Sequence, residues 1–281
     1  MFLLNKYLQK EENNLEKDNF FKNSFFLTAS NITTGILGFI FSMYLGNIAG
    51  PEGLAIYGLV MPVYNLFICL MTAGIIAAIS QRSAIYEANG EYNNLFKTIR
   101  SVAFFNIIWA MVIGIIVFFL APYISKYGIK DPRTLNAIRV TCPAMVFIAL
   151  SNILKGFFYG TSKITVPAII DISEKAMRII TITLLIYMFK AQTLTSIVTL
   201  AFVSLAIGEL QSLLLLYIYF RYTKKRMPIG HDKPERKAQL LFNVLIISLP
   251  LCLNGFLGNA FSTISTLVVP RQLVASGLDY S

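Results

Sequence analysis

The chain has 281 residues, of which 56% are hydrophobic and only 14% charged, and its mean hydropathy is +0.65. Soluble domains are about 45–50% apolar, so this excess excludes an ordinary water-soluble globule and points to burial against lipid. The formal net charge of +10 does not indicate a nucleic-acid partner, because most of the basic residues sit in the polar joints between apolar runs.

Residues 1–22 mix Lys and Glu and lack an apolar core of the kind a cleavable signal peptide needs. They are expected to form a short cytoplasmic amphipathic lead, with Phe20 and Phe21 resting at the interface. The run from Asn23 to Ile48 then carries no charged side chain. A bilayer core of about 30 Å needs roughly 20 helical residues, so this run is long enough to span. Similar runs follow at 54–80, 101–125, 135–159, 164–189, 194–220 and 239–269. Backbone groups in hydrocarbon must bond within their own segment, so all seven runs are expected to be helices. The predicted fold class is an all-α polytopic transmembrane helix bundle.

The joints are informative in turn. Gly50, Pro51 and Gly53 predict a tight turn between the first two spans. The polar stretch from Tyr86 to Arg100 is a place for a short surface helix, and Asp131-Pro132 for an outside turn. The segment 221–238 is the most basic and contains Pro228 and Pro234, which makes it the best boundary between lobes. Residues 23–220 then form a six-helix lobe, and 239–281 read as the first helix of a second lobe that is otherwise missing. Pro250, Gly255 and Gly258 predict that this last span is bent or broken.

Orientation follows from the basic residues. With the N-terminus in the cytoplasm, sixteen Lys and Arg fall in inside segments and five in outside segments. Seven of the sixteen lie in the stretch from Arg221 to Lys237. Seven spans would then leave the C-terminus outside.

The fifth span holds Asp171, Glu174, Lys175 and Arg178, which share one helical face. Asp171–Lys175 and Glu174–Arg178 are spaced for i,i+4 ion pairs with the acid first. A lone charge at mid-membrane costs roughly 2.5–3.5 kcal/mol on insertion scales, so such a face needs pairing or a hydrated cavity. The cluster fits either a polar pathway facing the bundle interior or a self-neutralised structural ion cluster. Glu209 in the sixth span is a candidate ion or proton site, a partner for Lys175, or a structural carboxylate. Arg139 is expected to snorkel to the outer headgroups. Asn31, Thr33 and Thr34 make a polar strip on the first span, suited to substrate contact or to interhelical hydrogen bonds. Tyr44, Tyr57, Tyr64, Tyr123 and Tyr159 are expected in the interfacial belts.

Cys69, Cys142 and Cys252 lie within apolar runs at no framework spacing, and His231 is the only histidine, so no disulfide, metal or cofactor is expected. Catalysis finds little support: no Asp-rich loop is present to hold a metal and a diphosphate, and the outside loops are short.

Several stretches resemble one family. Residues 50–67, Gly-Pro-Glu-Gly-Leu-Ala-Ile-Tyr-Gly-Leu-Val-Met-Pro-Val-Tyr-Asn-Leu-Phe, are similar to the first joint and second span of the stage V sporulation protein B family. Thr72-Ala73-Gly74-Ile75 and Ala78-Ile79-Ser80 continue the pattern. Leu154-Lys155-Gly156-Phe157-Phe158-Tyr159-Gly160 resembles the family's basic-Gly-aromatic-Gly element, followed by Pro167. Glu174-Lys175-Ala176-Met177-Arg178 resembles its Glu-Gln-x-x-Arg motif, with Lys175 in place of Gln. The resemblance covers roughly residues 20–271 and implies the multidrug/oligosaccharidyl-lipid/polysaccharide exporter superfamily, whose members have two six-helix lobes and work by alternating access. Lipid II flippases of that superfamily carry arginines in the first span, and residues 23–48 have none. That difference and the added Lys175 argue against lipid II itself as substrate, not against the class.

The resemblance implies a flippase for a lipid-diphosphate-linked sugar, with Arg178 and Lys175, and then Asn31, contacting the substrate. Asp171, Glu174 and Glu209 would set the charge state or couple an ion. The expected partners are the lipid-linked sugar and membrane lipids, with a second half-transporter if the chain is naturally this short. Alternatives are an ion-coupled multidrug exporter resting on Glu209 and Asp171, and an inactive truncated half-transporter or scaffold.

Overall fold

The computed structural model describes the backbone of residues 2–72 and 74–275, and the side chains of 21–72, 74–269 and 272. Among the described residues seven α-helices follow one another: α1 (Phe2–Thr72), α2 (Ile75–Ala88), α3 (Tyr92–Tyr123), α4 (Leu135–Gly160), α5 (Thr165–Phe189), α6 (Leu194–Arg226) and α7 (Lys237–Ala275). A π-helical turn, Ile124–Ile129, and a 3-10 turn, Pro132–Thr134, join α3 to α4. Among the described residues there is no strand.

α1 is two legs. Gly50 leaves helical geometry at φ 70°, ψ 179°, a left-sided φ that a side chain resists, and Pro51 then starts the second leg. The second leg breaks again before Gly74, which has φ 77°, and resumes as α2. A Cβ on Gly74 would lie 2.6 Å from the Ser248 carbonyl oxygen, so α7 crosses against bare backbone there. The span predicted over 54–80 is therefore interrupted. Its continuation, α2, reaches Ala88, and α3 begins at Tyr92. No separate surface helix stands between them, because α2 and α3 absorb the polar stretch except for a turn at Gly90.

Five helical stretches are long and apolar enough to cross a bilayer. The first, Phe21–Ala88, contains both legs around Gly50, and each leg has at least the roughly 20 residues that a crossing needs. α5 has 25 residues, enough to span, but carries the four charges of the fifth predicted run. The chain is a multi-pass helical membrane bundle. Large apolar side chains on the outer faces, such as Phe39, Phe104, Phe119, Leu184 and Phe261, are exposed. In water such surface would be an aggregation liability; against acyl chains it is neutral.

α1 runs as helix from Phe2, without a break at the boundary predicted near residue 22. The amphipathic reading of the lead, Phe20 included, lies outside the described side chains; Phe21 is exposed. α7 packs on α1, α2 and α3 and runs as one helix through Pro250, Gly255 and Gly258, where the sequence predicts a bend or break.

Close packing inside uses small residues. A Cβ on Gly160 would fall 2.3 Å from the Ser80 carbonyl oxygen, and one on Gly156 would fall 2.9 Å from that of Ile76, so α4 lies backbone to backbone on α2. Two apolar clusters result. One joins α1, α3, α4, α5 and α6 around Val60, Val117, Met145 and Phe202. The other joins the far ends of α3, α4, α5 and α6 to α2 and α7, around Ile79, Leu95, Phe157, Ile170 and Val244. Between them lies a polar stratum: Asn106, Ser151, Glu174, Arg178, Glu209 and Ser212 are all buried.

Candidate functional site

α5 supplies most of the stratum, because its apolar and polar residues segregate at helical spacing. Ile169, Ile180, Leu184 and Tyr187 are exposed, while Glu174, Arg178 and Ile182 are buried against α1 and α6. α6 approaches α5 closely at this level: a Cβ on Gly208 would be 3.4 Å from Cγ of Glu174. Gln211 on α6 donates through Nε2 to Ser173 Oγ at 3.0 Å.

The charges pair differently from the i,i+4 expectation. Lys155, on α4, reaches Asp171 Oδ1 at 2.7 Å. Lys175 Nζ lies 2.8 Å from Oε1 of Glu174, its immediate neighbour. Among the described residues Arg178 meets no carboxylate at ion-pair distance. Its Nη2 donates to the Tyr57 hydroxyl at 2.6 Å, and its guanidinium lies 4.3 Å from the Phe41 ring centre. An aromatic shelf of this kind attracts a cation through the ring's negative face, and more strongly where water is excluded. Tyr57 is itself stacked on Phe202, with ring centroids 5.0 Å apart. The reason for the changed pairing is tertiary. α4 presents Lys155 to Asp171, and Phe41 and Tyr57 from the two legs of α1 capture the longer Arg178.

Glu209 is buried, and its Oε2 has no hydrogen-bond partner among the described residues. It lies within electrostatic range of Glu174, Lys175, Lys155 and Arg178, but makes no direct bond to Lys175. The Tyr64 hydroxyl, Arg178 Nε and Ser212 Oγ are also buried without partners. Buried polar atoms are nearly always satisfied, so these are atoms that a bound water or ligand would satisfy.

Five of the six predicted site residues, Asp171, Glu174, Lys175, Arg178 and Glu209, are thus brought together. Asn31 is not. It is exposed, and about ten residues, or roughly 15 Å of helix, separate it from Phe41. Its neighbour Ser30 instead ties α1 to α5, donating to the Ala168 carbonyl at 3.0 Å.

Tyr57 and Tyr64 are corrections of the belt reading, because both are buried. Their i, i+7 spacing with Val60 between them places all three on one face, a signal present in the sequence. Lys155, counted among the inside basic residues of the orientation argument, is part of the body of α4. Arg139 is half-buried with its guanidinium 5.2 Å from the Phe118 ring centre. Among the described residues no three of His, Cys, Asp and Glu are placed to hold a metal ion.

The model of the polysaccharide biosynthesis protein family matches residues 20–275. The chain belongs to this family. Stage V sporulation protein B of Bacillus subtilis is 26% identical over 266 residues, covering 94% of this chain and 51% of that protein. The lipid II flippase MurJ of the same organism is 24% identical, covering 91% of this chain and 50% of MurJ. The chain therefore spans about half the length of these relatives. Among solved structures, the eukaryotic MATE transporter AtDTX14 superposes with a TM-score of 0.65 at 17% identity, covering 92% of this chain and 60% of that one. A MATE protein in complex with Br-NRF gives 0.52 at 20% identity, covering 82% and 50%. These likenesses show the transporter-type helical fold.

Proposed function

We propose that this chain is one lobe of a flippase that moves a lipid-diphosphate-linked sugar across the cytoplasmic membrane for cell-wall, spore-cortex or polysaccharide assembly. The observation that carries the reading is Arg178: a buried cation without a carboxylate partner, held on an aromatic shelf in a polar stratum midway through the bundle. Similarity to a lipid II flippase and to stage V sporulation protein B supports the substrate class.

The chemistry is recognition, not bond making. A diphosphate needs cationic donors, and a guanidinium offers a planar fork that a carboxylate has not already filled. Arg178 and Lys175 contact the headgroup, and the lipid tail stays in the bilayer. Glu174, Asp171 and Glu209 balance the cations when substrate is absent. The excess of basic residues at one set of helix ends supports a cytoplasmic N-terminus. Residues 23–220 make the lobe and α7 begins a second one; the basic segment predicted as a loop over 221–238 links them, though α6 extends through Arg226 and α7 starts at Lys237, so only 227–236 is loop.

The test is transfer of a fluorescent polyprenyl-diphosphate sugar across proteoliposomes holding the whole protein. Arg178→Ala should lower transfer at least about tenfold with the protein still inserted, and Arg178→Lys should recover only part, since it restores the charge but not the fork. Unchanged transfer in Arg178→Ala would make Arg178 structural.

The unpartnered Glu209 favours a second reading, an ion-coupled exporter of cationic small molecules. Glu209→Gln would then abolish drug resistance while leaving sugar-lipid transfer untouched.

A further inference from the structure

We propose that the outer flank of the bundle carries a binding site for an anionic phospholipid, separate from the Arg178 stratum. The groove lies over α4, between α3 and α6, and has a volume of about 900 Å³. Its layout matches a phospholipid. Ile99, Ala103, Ile107, Ile153 and Leu213 give it an apolar floor. Arg100, Arg221, Lys224 and Lys225 stand at one end. From Leu213 to Lys224 the helix rises about 16 Å, enough for much of an acyl chain lying below a headgroup.

The four cations are exposed, and none of them has an ion-pair partner among the described residues. Two are held at the rim by aromatic rings rather than free in solvent. Lys224 Nζ sits 4.7 Å from the Phe96 ring centre, and Arg221 Nη1 donates to the Tyr217 hydroxyl at 3.4 Å. Four like charges at the mouth of one apolar groove repel each other, and a phosphate between them removes that repulsion. Basic pockets between membrane helices favour anionic headgroups over zwitterionic ones for this reason. A second, smaller groove of about 450 Å³ adjoins across Arg100 and Phe104 and adds Lys237 to the same rim, leaving room for a second acyl chain beside α7. The site does not depend on the transport reading. Only its assignment to the inner leaflet depends on the orientation proposed above.

The experiment is retention of phosphatidylglycerol against phosphatidylcholine by the purified whole protein in detergent, read by native mass spectrometry. The wild type should retain phosphatidylglycerol preferentially. Each basic residue near the headgroup contributes about fivefold, so Arg221→Gln with Lys224→Gln should weaken retention roughly 25-fold. Lys233→Gln with Arg236→Gln, which removes two loop charges outside the groove, should change it little. Ala103→Leu, which fills the floor and keeps every charge, should also weaken retention, and its thermal midpoint reports that it is folded. Equal retention of the two lipids, equal loss in the loop variant, or tighter retention of a polyprenyl phosphate than of phosphatidylglycerol would each overturn the proposal.

Discussion

α3 and α5 cross the same bundle and solve opposite problems. α3 is apolar through its middle and turns Phe104, Ile108, Ile115 and Phe119 to the outside; its one buried amide there, Asn106, donates to the Ala149 carbonyl at 3.0 Å. α5 carries four charges over eight residues and hides two of them, Glu174 and Arg178. The contrast shows that charge in a membrane helix is governed by which face it occupies. On α5 the charges face α1, α4 and α6, which supply Tyr57, Lys155 and a close backbone at Gly208. α3's outer face has only lipid to offer.

The sharpest way to break the comparison is to give α3 what α5 has. Ile108→Lys puts a lone cation on a lipid-exposed face and should cost about 2.5–3.5 kcal/mol of insertion free energy, read from the inserted fraction in a translocation assay. Its native counterpart is the Lys155–Asp171 pair. Asp171→Ala leaves Lys155 unpartnered, and the loss should fall below the about 3–5 kcal/mol of a fully buried pair, because both side chains keep some exposure. We expect roughly 1–3 kcal/mol in thermal unfolding. The double variant Lys155→Met with Asp171→Leu should recover most of it, since no charge is left stranded.

A smaller effect concerns how α3 starts. Asp232, in the loop before α7, accepts from the backbone N–H groups of Asn93 at 3.0 Å and Asn94 at 2.9 Å. Asn93 Nδ2 answers by donating to the carbonyls of Gly230 and Asp232. The carboxylate serves as a remote N-cap, satisfying donors that a helix start leaves open and opposing its positive dipole end. Asp232→Ala should cost about 1–2 kcal/mol and speed hydrogen exchange at Asn93 and Asn94.

The smallest is a pH effect at the other end of α3. Arg133 binds Asp131 at 2.8 Å and Glu52, beside the Gly50 turn, at 2.6 Å. The Arg133 side-chain hydrogen bond holds the Asp131 carboxyl below its ordinary range. A lowered folded value means the clasp's contribution is complete above the unfolded carboxylate value of about 3.9 and is lost as pH falls through the folded value. Exchange protection around Thr134 should therefore be flat from pH 7 to 5 and drop only in stronger acid. Asp131→Asn should remove that dependence.

Much of the bundle was legible because lipid imposes a strict rule: a span must be long, apolar and self-bonded, and most of the predicted runs obey it, the exceptions being the run broken at Gly74 and the charged α5. The shared face of Asp171, Glu174, Lys175 and Arg178 was legible for the same reason, since helical spacing is local. Their partners were not. Lys155 is sixteen positions before Asp171, and Tyr57 is 121 residues before Arg178. Asn31 shows the converse error: polarity on the first span was visible, but its level relative to α5 was set by where Ser30 meets Ala168.

The sequence by itself determined that this chain lives in a membrane, that it crosses as a multi-pass helical bundle, and which helix carries charge, because these depend on composition and on the 3.6-residue period. Only the tertiary structure decided which charge meets which, that Arg178 rests on Phe41 and Tyr57 instead of Glu174, that the second span breaks before Gly74, and that Asp232 caps α3 from across the chain. Those outcomes depend on contacts between helices, where glycines set the approach and the unfavourable burial of an unpaired charge selects the partner.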